Sequence, residues 1–200
     1  MAEISAGLVK DLRTRTGAGM MDCKKALVEN EGDIDKAIEY LQIKGLSKAA
    51  KRADREATEG FIGSYIHHDG KTGVMVEINC ETDFVGRNED FRAFAKHIAM
   101  HIAAAKPDFV QQSEVSEDVV AQQRHIFEEQ AKESGKPAAI AVKMAEGRMA
   151  KWLKEICLLD QPFVMDPNKT IEQKRVEISS TCGENVVIKR FQRFVIGPQA

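Results

Sequence analysis

The chain has 200 residues, 43% of them hydrophobic and 30% charged, with a formal net charge of -2; this balance suits a packed core and excludes a disordered chain. Near-neutral charge without a concentrated basic face gives no general attraction to phosphate backbones, so any partner surface must be local. Four widely spaced cysteines, Cys23, Cys80, Cys157 and Cys182, form no C-x-x-C pair, and no run approaches the length of a membrane span, which argues against a zinc site, a dense disulfide framework and a membrane protein.

Residues 1–45 read as three short helices. Ser5 can cap the first, whose Leu8, Val9 and Leu12 face inward, and Thr16-Gly17-Ala18-Gly19 breaks it. The second runs from near Met20 to Glu29 with Cys23, Ala26 and Leu27 on one side. Asp33 caps the third, where Ile34, Ala37, Ile38 and Leu41 recur at i, i+3, i+4 and i+7, and Gly45 supplies a stop. A bundle this small suits docking better than catalysis. The Ala-, Lys-, Arg- and Glu-rich stretch that follows predicts an exposed connecting helix over 46–59.

A core domain is expected over 60–200. It opens with a hairpin, "GFIGSYIHH" and "TGVMVEINC" joined at Asp69-Gly70-Lys71, in which Val74, Val76, Ile78 and Cys80 alternate with other residues. Asn88 can cap a helix striped by Phe91, Phe94, Ala95, Ile98 and Ile102 and ended before Pro107. Ser116 opens another helix, which Gly135-Lys136-Pro137 stops; Met149, Trp152, Leu153 and Ile156 mark a further helical stripe that breaks near Pro162. The pattern from Thr170 to Cys182 fits helix and strand equally, and "NVVIKRFQRFVIG" predicts a third strand added to the hairpin. The fold class is therefore α+β, a small antiparallel three-stranded sheet packed with helices behind a three-helix bundle.

Local motifs exclude more than they assign. "TGAGMMDCKKAL" pairs glycines with lysines but has no G-x-x-x-x-G-K-[ST] spacing, and reads as an interhelical turn. His97 and His101 stand at i, i+4 without the Glu of H-E-x-x-H, so an ordinary amphipathic helix explains them and neither metal nor cofactor is expected. There is no G-x-S-x-G, and Cys80 alternates with core residues. "KRFQRFVIG" mixes bases with aromatics but lacks the glycines of an RNA-stacking strand. No direct nucleic-acid contact is expected. "CETDFVGRN" is the unusual stretch, placing Phe84 at a strand-to-helix junction beside Asp83. Either Phe84 packs under the helix that begins near Asn88, with Thr82 and Asp83 satisfying turn amides, or it serves a partner's pocket.

Five blocks, "LVKDLRTRTGAGMMDCKKAL", "GDIDKAIEYL", "EINCETDFVGRNEDF", "EGRMAKWLKEICLLDQPFV" and "GENVVIKRFQRFVIG", resemble translation elongation factor Ts in order and spacing. The resemblance implies a guanine-nucleotide exchange factor for elongation factor Tu, not an enzyme of a chemical step, with a bundle like a ubiquitin-associated domain docked on the GTPase. It implies that Thr82, Asp83, Phe84 and Val85 form the loop that disturbs the partner's magnesium site, and that Lys10, Arg13, Met20 and Met21 form the bundle's contact face. The alternative for Met20 and Met21 is that both are bundle core. Longer members of the family carry an extra subdomain and a helical-hairpin insertion between the regions matching Pro107 and Gly183, where this chain is short. Short members resemble partners in a symmetric dimer, giving a two-plus-two complex with elongation factor Tu, and the strand Val186–Val195 can supply edge pairing. The start, Met1 to Ser5, has neither a basic nor an apolar leader pattern, so a cytoplasmic location is expected. The reading from another class is a nonenzymatic helical adaptor that binds RNA or a different protein.

Overall fold

The computed structural model describes residues 4–197; Met1–Glu3 of the opening segment and residues 198–200 lie outside the described residues. Helix α1 (Ala6–Thr16) starts where the Ser5 hydroxyl accepts the Leu8 amide at 3.2 Å, and ends at Gly17 in the left-handed region. Helix α2 (Met20–Glu29) follows after the short turn, and α3 (Ile34–Arg52) begins at Asp33, whose carboxylate accepts the Lys36 amide at 3.1 Å. Val9, Leu12, Cys23, Ala26, Leu27 and Ala37 close the bundle core. Asp22 ties α2 to α3 through Lys48 at 2.8 Å and Lys44 at 3.8 Å, and the Lys48 bond above all holds its carboxyl below the ordinary range.

The third helix does not stop at Gly45. It continues to Arg52, so the predicted third helix and the first part of the predicted connecting helix are one element, and residues 53–58 run without helix to the first strand. Gly45 lies where α3 packs against a later helix, with an added Cβ falling 3.5 Å from both the Ser180 hydroxyl and Val176 Cγ1. It marks a close approach between helices and not a chain reversal.

Strands β1 (Glu59–Ile66) and β2 (Thr72–Cys80) form the expected hairpin, whose turn is fixed by Asp69 accepting the Lys71 amide at 2.9 Å. One short helical turn, α4 (Asp83–Gly86), leads into α5 (Glu89–Ala105), which the Asn88 side chain caps by accepting the Asp90 and Phe91 amides. Helices α6 (Glu117–Glu133) and α7 (Ala138–Ile156) pack on each other along a seam of Ala131, Ala141 and Ala145 flanked by Phe127 and Met144. A helical hairpin is therefore present in the interval where the resemblance led us to expect this chain to be short of one.

A two-stranded ribbon, β3 (Pro162–Phe163) and β4 (Asp166–Thr170), comes next. The ambiguous segment is helical: α8 (Ile171–Cys182) opens with a reciprocal capping box between Thr170 and Gln173. Finally β5 (Val187–Val195) pairs antiparallel with β2, giving the sheet order β1-β2-β5. Because strand side chains alternate, Val74, Val76, Ile78 and Cys80 of β2 all point to the face covered by α5, where they meet Phe91, Phe94, Ala95, Ile98 and Ile102. Each large side chain so buried contributes about 1.5–3 kcal/mol. The architecture is α+β as expected, with α8 packed on both α3 and α5, between the bundle and the core.

Candidate functional site

Residues 82–85 divide between the protein and the solvent. Thr82 caps α4 by accepting the Val85 amide at 3.4 Å. Val85 is buried at 5% exposure and belongs to the core under the sheet. At Gly86 a Cβ would fall 2.9 Å from the Gly60 carbonyl oxygen, so only glycine lets α4 seat this closely on β1. Arg92 completes the anchor, donating Nε to the Gly86 carbonyl at 3.3 Å while its guanidinium lies over the Phe61 ring at 5.1 Å. Successive helical residues point about 100° apart. With Val85 turned in, Phe84 is thrown out, 80% exposed, and Asp83 stays at the surface paired with Arg87 at 3.0 Å. Of the two readings open for Phe84, packing beneath α5 does not occur.

The turn is tied to residues a hundred positions away. The Glu184 carboxylate accepts the Glu81 amide at 3.0 Å and the Thr82 amide at 3.1 Å through Oε2, and the Thr82 hydroxyl at 2.6 Å through Oε1. In return the Glu81 carboxylate accepts the Asn185 amide at 2.6 Å, with Arg55 at 3.5 Å. Asn185, itself buried, donates Nδ2 to the carbonyls of Ala53 at 3.3 Å and Arg55 at 2.9 Å, where the chain leaves α3. Sequence reading singled out neither Glu184 nor Asn185. After Gly183 they look like part of a helix stop, and no local pattern reveals a partner so remote.

The bundle residues stand apart from this turn. Lys10 and Arg13 are exposed on α1, and Met20 and Met21, at the start of α2, are 57% and 77% exposed and so are not bundle core. Here α1 and α2 pack on each other and on α3, while α4 packs on β1, β2 and α5. None of the eight residues lines the groove between α3 and α8, whose walls include Ile38, Leu41 and Val176.

The remaining candidates have structural surroundings. His101 is fully buried, with Nε2 2.8 Å from the Gln161 side-chain oxygen and Nδ1 accepting the Val164 amide at 3.3 Å; His97 lies beside the Phe163 ring. Cys80 donates its thiol proton to the Thr82 carbonyl at 3.2 Å, and burial, helped by the nearby Glu184 charge, pushes its pKa up to about 11. Little thiolate exists there near neutral pH. On β5, Phe191 packs against the core while Phe194 faces outward at 60% exposure. Among the described residues no group of three His, Cys, Asp or Glu is disposed to hold a metal ion, and no helix is long and apolar enough to cross a membrane.

Comparison with known proteins agrees with the block-by-block resemblance. A family model described as "Elongation factor TS" matches residues 20–198. Elongation factor Ts of Desulforamulus reducens is 58% identical over 197 residues, covering 98% of this chain and 91% of the relative. That of Geobacter sp. strain M21 is 55% identical over 194 residues, covering 97% and 90%. Elongation factor Ts of Solidesulfovibrio magneticus is 58% identical over 200 residues, covering 100% of both chains. With its three-helix bundle, its α+β core and the T-D-F-V turn presenting an exposed Phe84, the chain belongs to the elongation factor Ts family.

Proposed function

We propose that this translation elongation factor is the guanine-nucleotide exchange factor of elongation factor Tu, acting in the cytoplasm without a cofactor and without a chemical step. It binds the GDP-bound GTPase through Lys10, Arg13, Met20 and Met21 and sets Thr82–Val85 against the partner's magnesium and phosphate site. Phe84 enters a pocket of the GTPase; Asp83 adds negative charge near the metal. The observation that carries this reading is the 80% exposure of Phe84 on a turn anchored by the buried Val85 and Gly86 that follow it. An exposed Phe forgoes about 1.5–3 kcal/mol of burial, which a partner's pocket restores. Met20 and Met21 suit the docking role because Met side chains adapt to irregular surfaces.

The energetics require more than one ring. A GTPase that holds GDP at about nanomolar affinity releases it on the order of once in many minutes at an ordinary on-rate. Weakening that grip a thousandfold takes about 4 kcal/mol of coupling, and linkage makes GDP weaken the factor's binding by the same factor. Docking through the bundle and core therefore holds the wedge in place, while displaced magnesium removes the charge that neutralises the diphosphate. Phe84→Ala should slow maximal GDP release from elongation factor Tu by about tenfold or more, the equivalent of the lost burial. The concentration of factor giving half-maximal release should change far less. Wild-type release by this variant in stopped flow would remove the wedge.

A homodimer giving a two-plus-two complex is a second element of the proposal. The sheet face turned away from α5 carries exposed Ile62, Ile66, Met75 and Phe194 beside the cross-strand pair Glu77–Arg190 at 2.7 Å, and β5 is an edge strand. An apolar sheet face with an open edge suits a second copy of itself.

A further inference from the structure

We infer that Glu184 is the positioning residue of the exposed-Phe turn, fixing the backbone ahead of Phe84 and so the direction in which the ring is presented. The inference rests on the reading of Phe84 as the group that enters the partner. Both carboxylate oxygens are engaged, Oε2 by two consecutive backbone amides and Oε1 by the Thr82 hydroxyl. An ionised carboxylate only accepts, so the single hydroxyl hydrogen of Thr82 is committed to Glu184 and its lone pair is turned to the Val85 amide. The first turn of α4 is thus held by a relay from Val85 through Thr82 to Glu184.

Glu184 is itself held. Gly183 adopts φ 78° at the end of α8 and turns the chain back, and the Ser179 hydroxyl donates to the Glu184 carbonyl at 2.5 Å. Asn185 joins the same turn to the chain leaving α3 through the Glu81 carboxylate and the carbonyls of Ala53 and Arg55. Arg52 adds a bond to the Ser179 carbonyl at 3.2 Å. Segments 52–55, 81–82 and 179–185 therefore form one hydrogen-bonded junction, with the wedge on one side and the trailing end of α3 on the other. Neither Glu184 nor Asn185 is part of the T-D-F-V turn; their role is to keep it ordered before docking, so that ordering is not deducted from binding when the ring meets its pocket.

The test combines amide hydrogen exchange on the isolated protein with stopped-flow GDP release from elongation factor Tu, using Glu184→Gln and the milder Thr82→Val. In Glu184→Gln, protection of the Glu81 and Thr82 amides should fall by about tenfold or more, reflecting loss of charge-assisted bonds. Maximal GDP release should fall by about fivefold to tenfold while the half-saturating concentration changes less than about twofold. Thr82→Val should move both readouts in the same direction, and the double variant should fall clearly short of the sum of the two, close to the larger single effect, because both break one network. Unchanged amide protection in Glu184→Gln, or unchanged maximal release in a variant that has lost protection while Phe84→Ala is slow, would overturn the positioning role alone. Wild-type release by Phe84→Ala overturns the underlying reading, and with it the purpose assigned to Glu184, even where the amides report the junction intact.

Discussion

Phe84 and Val85 are adjacent apolar residues with opposite fates, one 80% exposed and the other 5%, because a single helical turn cannot bury both against one sheet. His101 shows the same dependence on surroundings for a polar group. Val164 N–H donates to Nδ1, so the proton sits on Nε2 and is donated to Gln161, whose own amide donates to the Glu155 carbonyl. Burial lowers the His101 pKa below its ordinary value near 6.5, with the Gln161 bond opposing. Between the folded and unfolded values the unfolded chain binds more protons, so this contribution is complete above about pH 6.5 and is lost as pH falls toward the folded-state value. Denaturant melts should show stability decreasing from pH 7 to 5.5, and His101→Gln, which cannot titrate, should lose much of that slope despite a lower overall stability. An identical slope in both proteins would remove His101 as its source.

At the scale of elements, helix starts were legible because cap chemistry is local. Ser5, Asp33 and Asn88 each accept an amide from the first turn they were expected to cap, and Ser116, expected to open its helix, does the same. Gly45 was misread because its role comes from α8, more than a hundred residues later. Since α3 is regular there and a Cβ would make ordinary contact at 3.5 Å, Gly45→Ala should raise stability by up to about 1 kcal/mol. Gly45→Leu should lower it by about 1–3 kcal/mol by forcing α3 off α8. Urea denaturation of both variants decides, and destabilisation by Ala would show that the approach is tighter than described. Helix α8 was ambiguous for a related reason: packed between the bundle and the core, it buries Ile171, Val176 and Ser179 and leaves no simple stripe. The β3–β4 ribbon was invisible because Asp166-Pro167-Asn168-Lys169 has little strand preference, and tertiary contacts hold the ribbon in place: the burial of Phe163, the Val164 amide on His101 and the Lys169–Glu177 ion pair at 2.6 Å.

On the scale of the whole molecule, the three-stranded sheet has one face covered by α5 and the other open. If two copies pair through the open face, Phe194→Asp places a charge at the junction from both sides of the two-fold axis. Sedimentation should then show a dimer for the wild type at micromolar concentration and a monomer for Phe194→Asp. A monomeric wild type would remove the homodimer. By itself the sequence determined the α+β class, most helix starts, the hairpin with its third strand, and the family, since caps, alternation and ordered motif blocks are properties of contiguous residues. Tertiary structure alone decided that α3 passes Gly45, that Phe84 faces solvent while Val85 does not, and that Glu184 and Asn185 brace the turn. The first and last depend on contacts between segments a hundred or more residues apart and the second on how α4 seats against β1, and chain folding brings these segments together where no local pattern encodes it.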